Sequence, residues 1–485
     1  MALDPRLPVL VAGVQALRRP TDAASESEPL ALLADALRDG VASPILAATE
    51  AIFISDILSW KYADAPGRLA TLLNVAPRRR VRVVTGGNGP QMAVNDAARR
   101  IQAGQLDVAI VGGAEAMATR ILARKQKAWL PWPVEAASSD PPDELGVDRP
   151  GSNDAEMARS LALPVQVYAL FESALRAEAG HTVDEHRRFL GALWSRFSVV
   201  AAENPYAWAR EVRTADELMT ITPENRMICT PYPKPLNANI QVDQAAAVVV
   251  CSVEAARRLR VPEDQWVFVH AGADAHDHWW VSERADLVSS PALAACAGSI
   301  DLDAGAIDHL DVYSCFPSAV QIGAKALGVD LSRDLTVTGG LAFAGGPGNS
   351  YVNHSMATMA DVLRRDPGSI GVTTAVGWYL TKHAIGVYST TPPVDGFRWA
   401  NPQAEVDALP KRPYVTEASG VVTIEAHTVA HERDGTPSLG IVACLLPEGT
   451  RAWANTRDPE LLADLATHDR VTTSATLTDD GTLTY

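Results

Sequence analysis

Cysteine is scarce in this sequence, and the cysteines present are not spaced for a shared structural role. The 485 residues contain only five, an odd number, far apart and in no CxxC pair: Cys229, Cys251, Cys296, Cys315 and Cys444. A disulfide framework and a structural zinc site both need closer or paired cysteines. We therefore expect a reduced, cytoplasmic protein that holds no metal.

Long apolar runs are also missing. Residues 245–251 form one of the longest, whereas a membrane-spanning helix needs about 20 apolar residues. The first five residues show no cationic segment followed by an apolar one, so no signal peptide is expected. We predict a soluble protein that does not use a membrane as a partner.

Positive charge is in deficit. Lysine and arginine number 42 against 58 acidic residues, which gives a formal net charge of −16. Nucleic-acid binding needs clustered cations, so it is excluded as the main task, although a local basic pocket for one phosphorylated ligand is compatible with the balance. With 47% hydrophobic and 21% charged residues, the composition is that of a folded protein.

The first 400 residues alternate short apolar runs with helical patterns, which indicates an α/β fold with a largely parallel sheet. A strand at 81–84 leads into a glycine turn at 86–89, and Pro90 suits the first turn of the helix that follows. A strand at 335–338, a second glycine turn and a helix over 351–365 repeat this order. The repetition predicts a duplicated core.

The rest of the chain divides at changes of pattern. Residues 121–237 are rich in Trp, Pro and charge and predict an insertion over the core. Beyond residue 392, period-two runs separated by Asp-Gly turns predict antiparallel strands. The predicted domains are an N-terminal half over 1–120 completed by 238–258, an inserted loop domain over 121–237, a C-terminal half over 259–395, and a β-barrel-like domain over 396–485.

Several segments resemble thiolases. Residues 101–108 and 112–117 are similar to the central thiolase signature, and 339–347 to the later glycine loop. Residues 204–207 and 243–247 look like the sterol-carrier-protein-2 type. With its added β domain, the chain most resembles the actinobacterial thiolase-like proteins of type 1, usually filed as acetyl-CoA acetyltransferases. The resemblance implies a five-layered αβαβα thiolase fold, a role in lipid metabolism, and CoA or an acyl-CoA as ligand with no other cofactor.

The resemblance fails at the residues that carry thiolase chemistry. A thiolase has a nucleophilic cysteine at the start of the helix after the first glycine turn, and the matching residue here is Gly87. The acid/base histidine of the later loop is replaced by Gly346, and the second catalytic cysteine by Ala375. The polar residue that orients water or thioester oxygen maps to Tyr313. These replacements predict that thiolase turnover is lost.

Three other side chains are candidates for chemistry. Cys315 and His383 could form an acyl-enzyme pair, although Cys315 also suits a small buried position and His383 could instead bond backbone or a CoA phosphate. Tyr313 could donate to a carbonyl, or simply pack. The bare amides of the glycine turns could hold an anion or a thioester, or the glycines could serve only as turns. The ligand contacts that we predict are Gly86, Gly87, Asn88, Gly345, Gly346, Asn349 and His383.

Three functions are compatible with these observations. The favoured one is a CoA-binding protein without turnover; the second is an enzyme with different chemistry, such as a retro-aldolase or acyltransferase; the third is a module that docks a protein partner through its C-terminal domain. Thiolases commonly pair through the strand that is here 80–84. Because Arg82 would then meet its own copy, we expect a monomer or weak homodimer.

Overall fold

The computed structural model describes residues 3–136 and 139–484, so the first two residues of the stretch inspected for a signal peptide lie outside it. In the described residues no helix combines the length and apolarity needed to cross a membrane. The first half alternates strands with helices: β1 (Pro8–Arg18), α1 (Pro29–Gly40), α2 (Ser43–Ala47), β2 (Ala51–Ser55), α3 (Ala65–Leu73), β3 (Arg79–Val83), α4 (Gly89–Gln102), β4 (Val108–Ala116) and α5 (Met117–Gln126).

The insertion that follows is mostly helical. Its elements are β5 (Asp143–Leu145), α6 (Asp154–Ala158), α7 (Pro164–Glu178), α8 (Val183–Glu203), α9 (Ala215–Met219), β6 (Met227–Cys229) and β7 (Tyr232–Pro233). The 21-residue α8 begins with a capping box, in which Thr182 and Glu185 satisfy each other's backbone amides. This pattern is a readable helix start.

The chain then returns to the core and repeats the first half. The elements are β8 (Asp243–Ser252), α10 (Val253–Arg258), β9 (Val267–His276), α11 (Pro291–Ser299), β10 (His309–Asp311), α12 (Pro317–Leu327), α13 (Gly340–Phe343), α14 (Tyr351–Arg365), β11 (Ile370–Gly377) and β12 (Lys382–Ser389). The helix predicted over 351–365 has the predicted bounds. The sequence analysis did not predict β12, the strand that contains His383.

Two central helices lie between the two halves of one sheet. The strand order is β10-β11-β12-β9-β1-β8-β4-β2-β3-β5, and the halves join where Val9 and Leu10 of β1 pair with β9. Helices α4 and α14 each contact strands of both halves, while α1 and α11 cover the outer faces. Small buried residues such as Ala93 and Ala97 let α4 fit between two sheet layers. The result is the predicted five-layered α/β fold. The prediction of a largely parallel sheet is wrong, because the long central strands pair antiparallel: β1 with β8, β8 with β4, and β9 with β12.

The C-terminal part forms a second, smaller sheet. After β13 (Arg398–Ala400), which pairs with β9 of the main sheet, come α15 (Gln403–Asp407), β14 (Gly420–His431), β15 (Pro437–Leu445), β16 (Arg451–Thr456), α16 (Pro459–Thr467), β17 (Ser474–Leu477) and β18 (Leu483–Thr484). The order is β16-β15-β14-β17-β18, and a bridge from Asn455 to Thr482 brings the two ends together. Strand β6 of the insertion also pairs with β14.

Candidate functional site

The two predicted glycine turns meet in the centre of the molecule. Gly86, between β3 and α4, has φ +149°, a value that L side chains rarely adopt. Its amide donates to Asn349 Oδ1 at 2.9 Å, and Asn349 Nδ2 donates to the Asp56 carbonyl at 2.9 Å. Because Asn349 follows the second turn, one side chain ties together turns that lie more than 250 residues apart.

A tyrosine fills the space beside Gly87. A Cβ at Gly87 would overlap the Tyr313 hydroxyl oxygen and lie 2.5 Å from the Val376 carbonyl. The Tyr313 ring is held edge-on against Tyr351, with ring centroids 5.6 Å apart. Burial raises the pKa of Tyr313 far above its usual value, so its hydroxyl is protonated. A neutral phenol therefore lies where a side chain at residue 87 would point.

The second turn is tight at two of its glycines and open at one. A Cβ at Gly345 (φ +114°) would overlap the Gln244 amide, and one at Gly348 (φ +53°) would overlap the Glu115 carboxylate. Gly346 differs, because the nearest atoms to a Cβ there would be 3.5 Å away. Its amide donates to the Asn239 carbonyl at 2.9 Å. The turn is thus shaped around Gln244 and Glu115, with free space only at Gly346.

Cys315 is enclosed and unactivated. Its side chain is buried, and this burial raises the thiol pKa to about 12. Among the described residues no hydrogen bond joins Cys315 to His383. The nucleophile–base contact that an acyl-enzyme pair would use is therefore not formed.

We expect Cys315→Ala to leave ligand binding unchanged and to lower the free energy of unfolding by about 1 kcal/mol, because a small group is lost at a small buried position. We also expect iodoacetamide to react slowly with Cys315 at neutral pH, since little thiolate is present. Mass spectrometry of the modified peptide measures this rate. Rapid alkylation that abolishes an activity would contradict the assignment.

His383 belongs to a buried polar cluster on the C-terminal half. Its Nε2 lies 3.1 Å from Asp277 Oδ2, 3.0 Å from Ser290 Oγ and 3.0 Å from the Leu380 carbonyl. Ser290 also donates to Asp277 Oδ2 at 2.6 Å. Burial opposes ionisation of Asp277, but its bond to His383 holds the pKa of that carboxyl below its usual value. The imidazole is thus engaged inside the fold, while Ala375 lies buried in the neighbouring strand β11.

Lys382, which the sequence did not single out, reaches the first glycine turn. Its ammonium donates to the Thr85 carbonyl and, at 3.2 Å, to the Val147 carbonyl. Burial lowers the pKa of Lys382 to about 8, although Asp148 and Asp56 oppose the shift. The nearby Asn88 Oδ1 is buried and has no hydrogen-bond partner in the part of the chain that the structure describes. The signal in the sequence that could have identified Lys382 is a lysine within a buried strand. It could be used only if β12 had been recognised as a strand.

Lys382 should make stability depend on pH. Between pH 8 and 10.5 the unfolded chain binds more protons at this lysine than the folded chain, so the free energy of unfolding rises with pH. We expect the rise to be about 2 kcal/mol larger in the native protein than in Lys382→Met. Urea unfolding across that window measures it, with the exposed Lys125→Met as control. Parallel pH profiles for all three proteins would contradict the buried-lysine assignment.

Comparison with known proteins places this geometry in a family. Residues 402–482 match the family described as the thiolase-like protein type 1 additional C-terminal domain. The whole chain resembles the crystal structure of a monomeric SCP2-thiolase like protein type 1 from Mycobacterium smegmatis, with 30% identity, a TM-score of 0.82 and 98% of each chain covered. No curated protein sequence matches. The chain belongs to the SCP2-thiolase-like proteins of type 1, which confirms the family resemblance.

The fold extends to thiolases proper. The dimeric peroxisomal thiolase of Saccharomyces cerevisiae aligns with 80% of this chain and 98% of its own, at 15% identity and a TM-score of 0.54. This likeness shows the shared thiolase fold.

Proposed function

We propose that the protein binds CoA or an acyl-CoA thioester between the two glycine turns and does not carry out thiolase turnover. The observation that carries the second part is the Tyr313 hydroxyl in the space beside Gly87. The first part is supported by family membership and by Asn349, which holds the two turns together. Backbone amides at helix starts suit a thioester oxygen or an anion. Because the Gly86 and Gly346 amides already donate to Asn349 and Asn239, we assign this role to the amides of Gly87 and Gly345.

Two measurements on the same protein test this function. Calorimetric titration with CoA and acetyl-CoA should show saturable binding, while acetoacetyl-CoA plus CoA should be consumed no faster than in the absence of protein. Asn349→Ala should weaken binding by about tenfold, since it separates the turns, whereas the exposed Asn401→Ala should not. Absence of binding, or thiolytic turnover, would contradict the proposal.

Tyr313 also favours a second candidate, an enzyme of different chemistry. A phenol and an amine of lowered pKa, on Tyr313 and Lys382, both contact the first glycine turn. In retro-aldol cleavage of a 3-hydroxyacyl-CoA, a base removes the hydroxyl proton and the C2–C3 bond breaks, so that an aldehyde leaves and the electron pair remains on C2 as a thioester enolate. The protonated base then returns the proton to C2, which gives acetyl-CoA. Release of aldehyde that is lost in Tyr313→Phe would establish this candidate.

The C-terminal domain and the cysteines bear on the remaining proposals. Arg451 of β16 docks the domain on the chain's own core by donating to the carbonyls of Val281, Ser282 and Arg284. A protein partner would therefore use another face of this domain.

The five cysteines are all buried free thiols, which supports the cytoplasmic location that we propose.

We propose a monomer, and the supporting feature differs from the predicted one. Strand β5 pairs in parallel with β3, so the insertion occupies the edge through which a second copy would pair. The arginines of β3 would not repel those of a second copy, because they form ion pairs with carboxylates of β5. Arg79 lies 3.3 Å from Asp143 and Arg82 lies 2.6 Å from Glu144. The name of the Mycobacterium smegmatis relative, a monomer, agrees with this arrangement.

Light scattering at micromolar concentration should give a monomer mass at low and high salt. In the double variant Asp143→Lys and Glu144→Lys, lysines face the β3 arginines, which destabilises the β3–β5 pair. The Val84 amide donates to Leu145 across this junction at 3.0 Å, so its hydrogen exchange should accelerate by about tenfold. A salt-independent dimer of the native protein would show that β5 does not block pairing.

A further inference from the structure

A cavity of about 390 Å³ lies where the insertion meets the C-terminal domain. Its walls come from the end of α7, the start of α8, the segment 221–231 that contains β6, and the ends of β14 and α16. None of its lining residues belongs to the glycine-turn site. The cavity exists only while the insertion and the C-terminal domain are packed together.

Two arginines with unused donors line this cavity. Arg176, 5% exposed, donates through Nη2 to Asp469 Oδ1 at 2.7 Å, but its buried Nε has no hydrogen-bond partner among the described residues. Arg187 donates through Nη2 to the Met219 carbonyl at 3.0 Å, and within the described chain its buried Nε also has no hydrogen-bond partner. Within residues 3–136 and 139–484, Arg187 forms no ion pair with a carboxylate. Unsatisfied buried donors are costly and need an explanation.

The other lining groups complete a site for an anion with an apolar body. His431 Nδ1 is a third buried nitrogen for which the described residues offer no hydrogen-bond partner. Among the described residues, the carboxylate that lines the cavity belongs to Asp184, which is exposed. Val183, Ile221 and Met227 supply apolar wall. The volume falls within the usual range of small-molecule sites, about 300–1,000 Å³.

We propose that this cavity binds the phosphate of a small organic phosphate ester, with Arg176 and Arg187 as its ligands. The forked donors of arginine match phosphate geometry. Because Arg176 is already paired with Asp469, the guanidinium charge that the phosphate would balance is that of Arg187. The bound phosphate would join α7 and α8 to the C-terminal domain, because Arg176 already contacts Asp469 of that domain.

Calorimetric titration of the full chain with inorganic phosphate, AMP and succinate tests the site. AMP should bind saturably and more tightly than inorganic phosphate, because its body contacts the apolar wall, and succinate should bind weakly. Arg187→Gln should weaken AMP binding by at least about tenfold. The neighbouring Arg188, exposed and outside the cavity, is the matched control, and Arg188→Gln should change the affinity less than about twofold.

A CoA titration identifies the source of the phosphate. CoA affinity that falls with Arg187→Gln, alongside AMP affinity, assigns the site to the phosphates of CoA; CoA affinity that persists assigns it to a separate ester and leaves the proposed function intact. If Arg187→Gln does not fold, as judged by circular dichroism, His431→Phe replaces it with the same expected loss. The proposal is overturned if no phosphate compound binds, if succinate binds as tightly as AMP, or if both arginine variants lose affinity equally.

Discussion

Gly87→Ala is expected to lower the free energy of unfolding by about 2–3 kcal/mol, the upper range for overpacking in a buried site. The added methyl would overlap the Tyr313 hydroxyl and approach the Val376 carbonyl at 2.5 Å. Both neighbours are held in place, one by the Tyr351 ring and the other by the β11–β12 pairing. Urea unfolding with unchanged cooperativity measures the loss.

Gly346→Ala is the matched control, because a Cβ there would have no neighbour closer than 3.5 Å. It should change the free energy of unfolding by less than about 1 kcal/mol. Adding Tyr313→Phe should recover part of the Gly87→Ala loss, although the ring carbon Cζ would still lie 2.9 Å from the new methyl. Equal losses in both glycine variants would contradict the role assigned to Tyr313.

The same overlap predicts that a restored cysteine does not restore a thiolase. In Gly87→Cys with Gly346→His, the thiol has no space beside Tyr313, and Ala375 still lacks the second cysteine. Catalysis requires groups held in a productive geometry. Thiolysis of acetoacetyl-CoA well above the native protein's rate would show that the pocket retains thiolase geometry.

Arg451→Met is expected to cost about 3–5 kcal/mol, the range for removing one partner of a buried ion pair. The Arg451 side chain is fully buried and donates to both Glu425 carboxylate oxygens, at 2.7 and 2.6 Å. Its remaining nitrogen donates to three carbonyls of the core between Val281 and Arg284. Without it, Glu425 and those carbonyls lose their donors at the junction between the two parts.

Urea unfolding and limited proteolysis near residues 408–419 measure this loss. Arg457→Met is the control, since Arg457 lies exposed in the same domain and donates to the Ser438 carbonyl; it should change stability by less than about 0.5 kcal/mol. An Arg451→Met protein with native stability and protease resistance would show that the domain is held by its apolar contacts alone.

The sequence predicted those elements whose ends carry local signals. Helix α14 has the predicted bounds, and Pro90 lies in the first turn of α4, as predicted. Strand β12 was missed because it is buried on both faces and begins with Lys382 and His383, so it shows neither alternation nor a continuous apolar start. Its pairing with β9 and β11 overrides these local preferences.

The candidate site was only partly predictable for a related reason. Glycine turns are visible in sequence, and their matching places in the two halves were predicted, but their convergence was not. The space beside Gly87 is filled by Tyr313, which follows strand β10. The ammonium near Gly86 belongs to Lys382 of the β11–β12 hairpin. Contacts between residues more than 200 positions apart leave no spacing that a single sequence reveals.

The pairing of β3 with β5 also makes this sheet edge insensitive to dilution. In an assembly where two copies complete each other's sheet, mass action controls how many edges are covered, and midpoint temperatures depend on protein concentration. Here the covering strand is tethered to β3 within the same polypeptide, about 60 residues away. The edge is therefore satisfied at any concentration, and its loss requires local unfolding rather than dissociation.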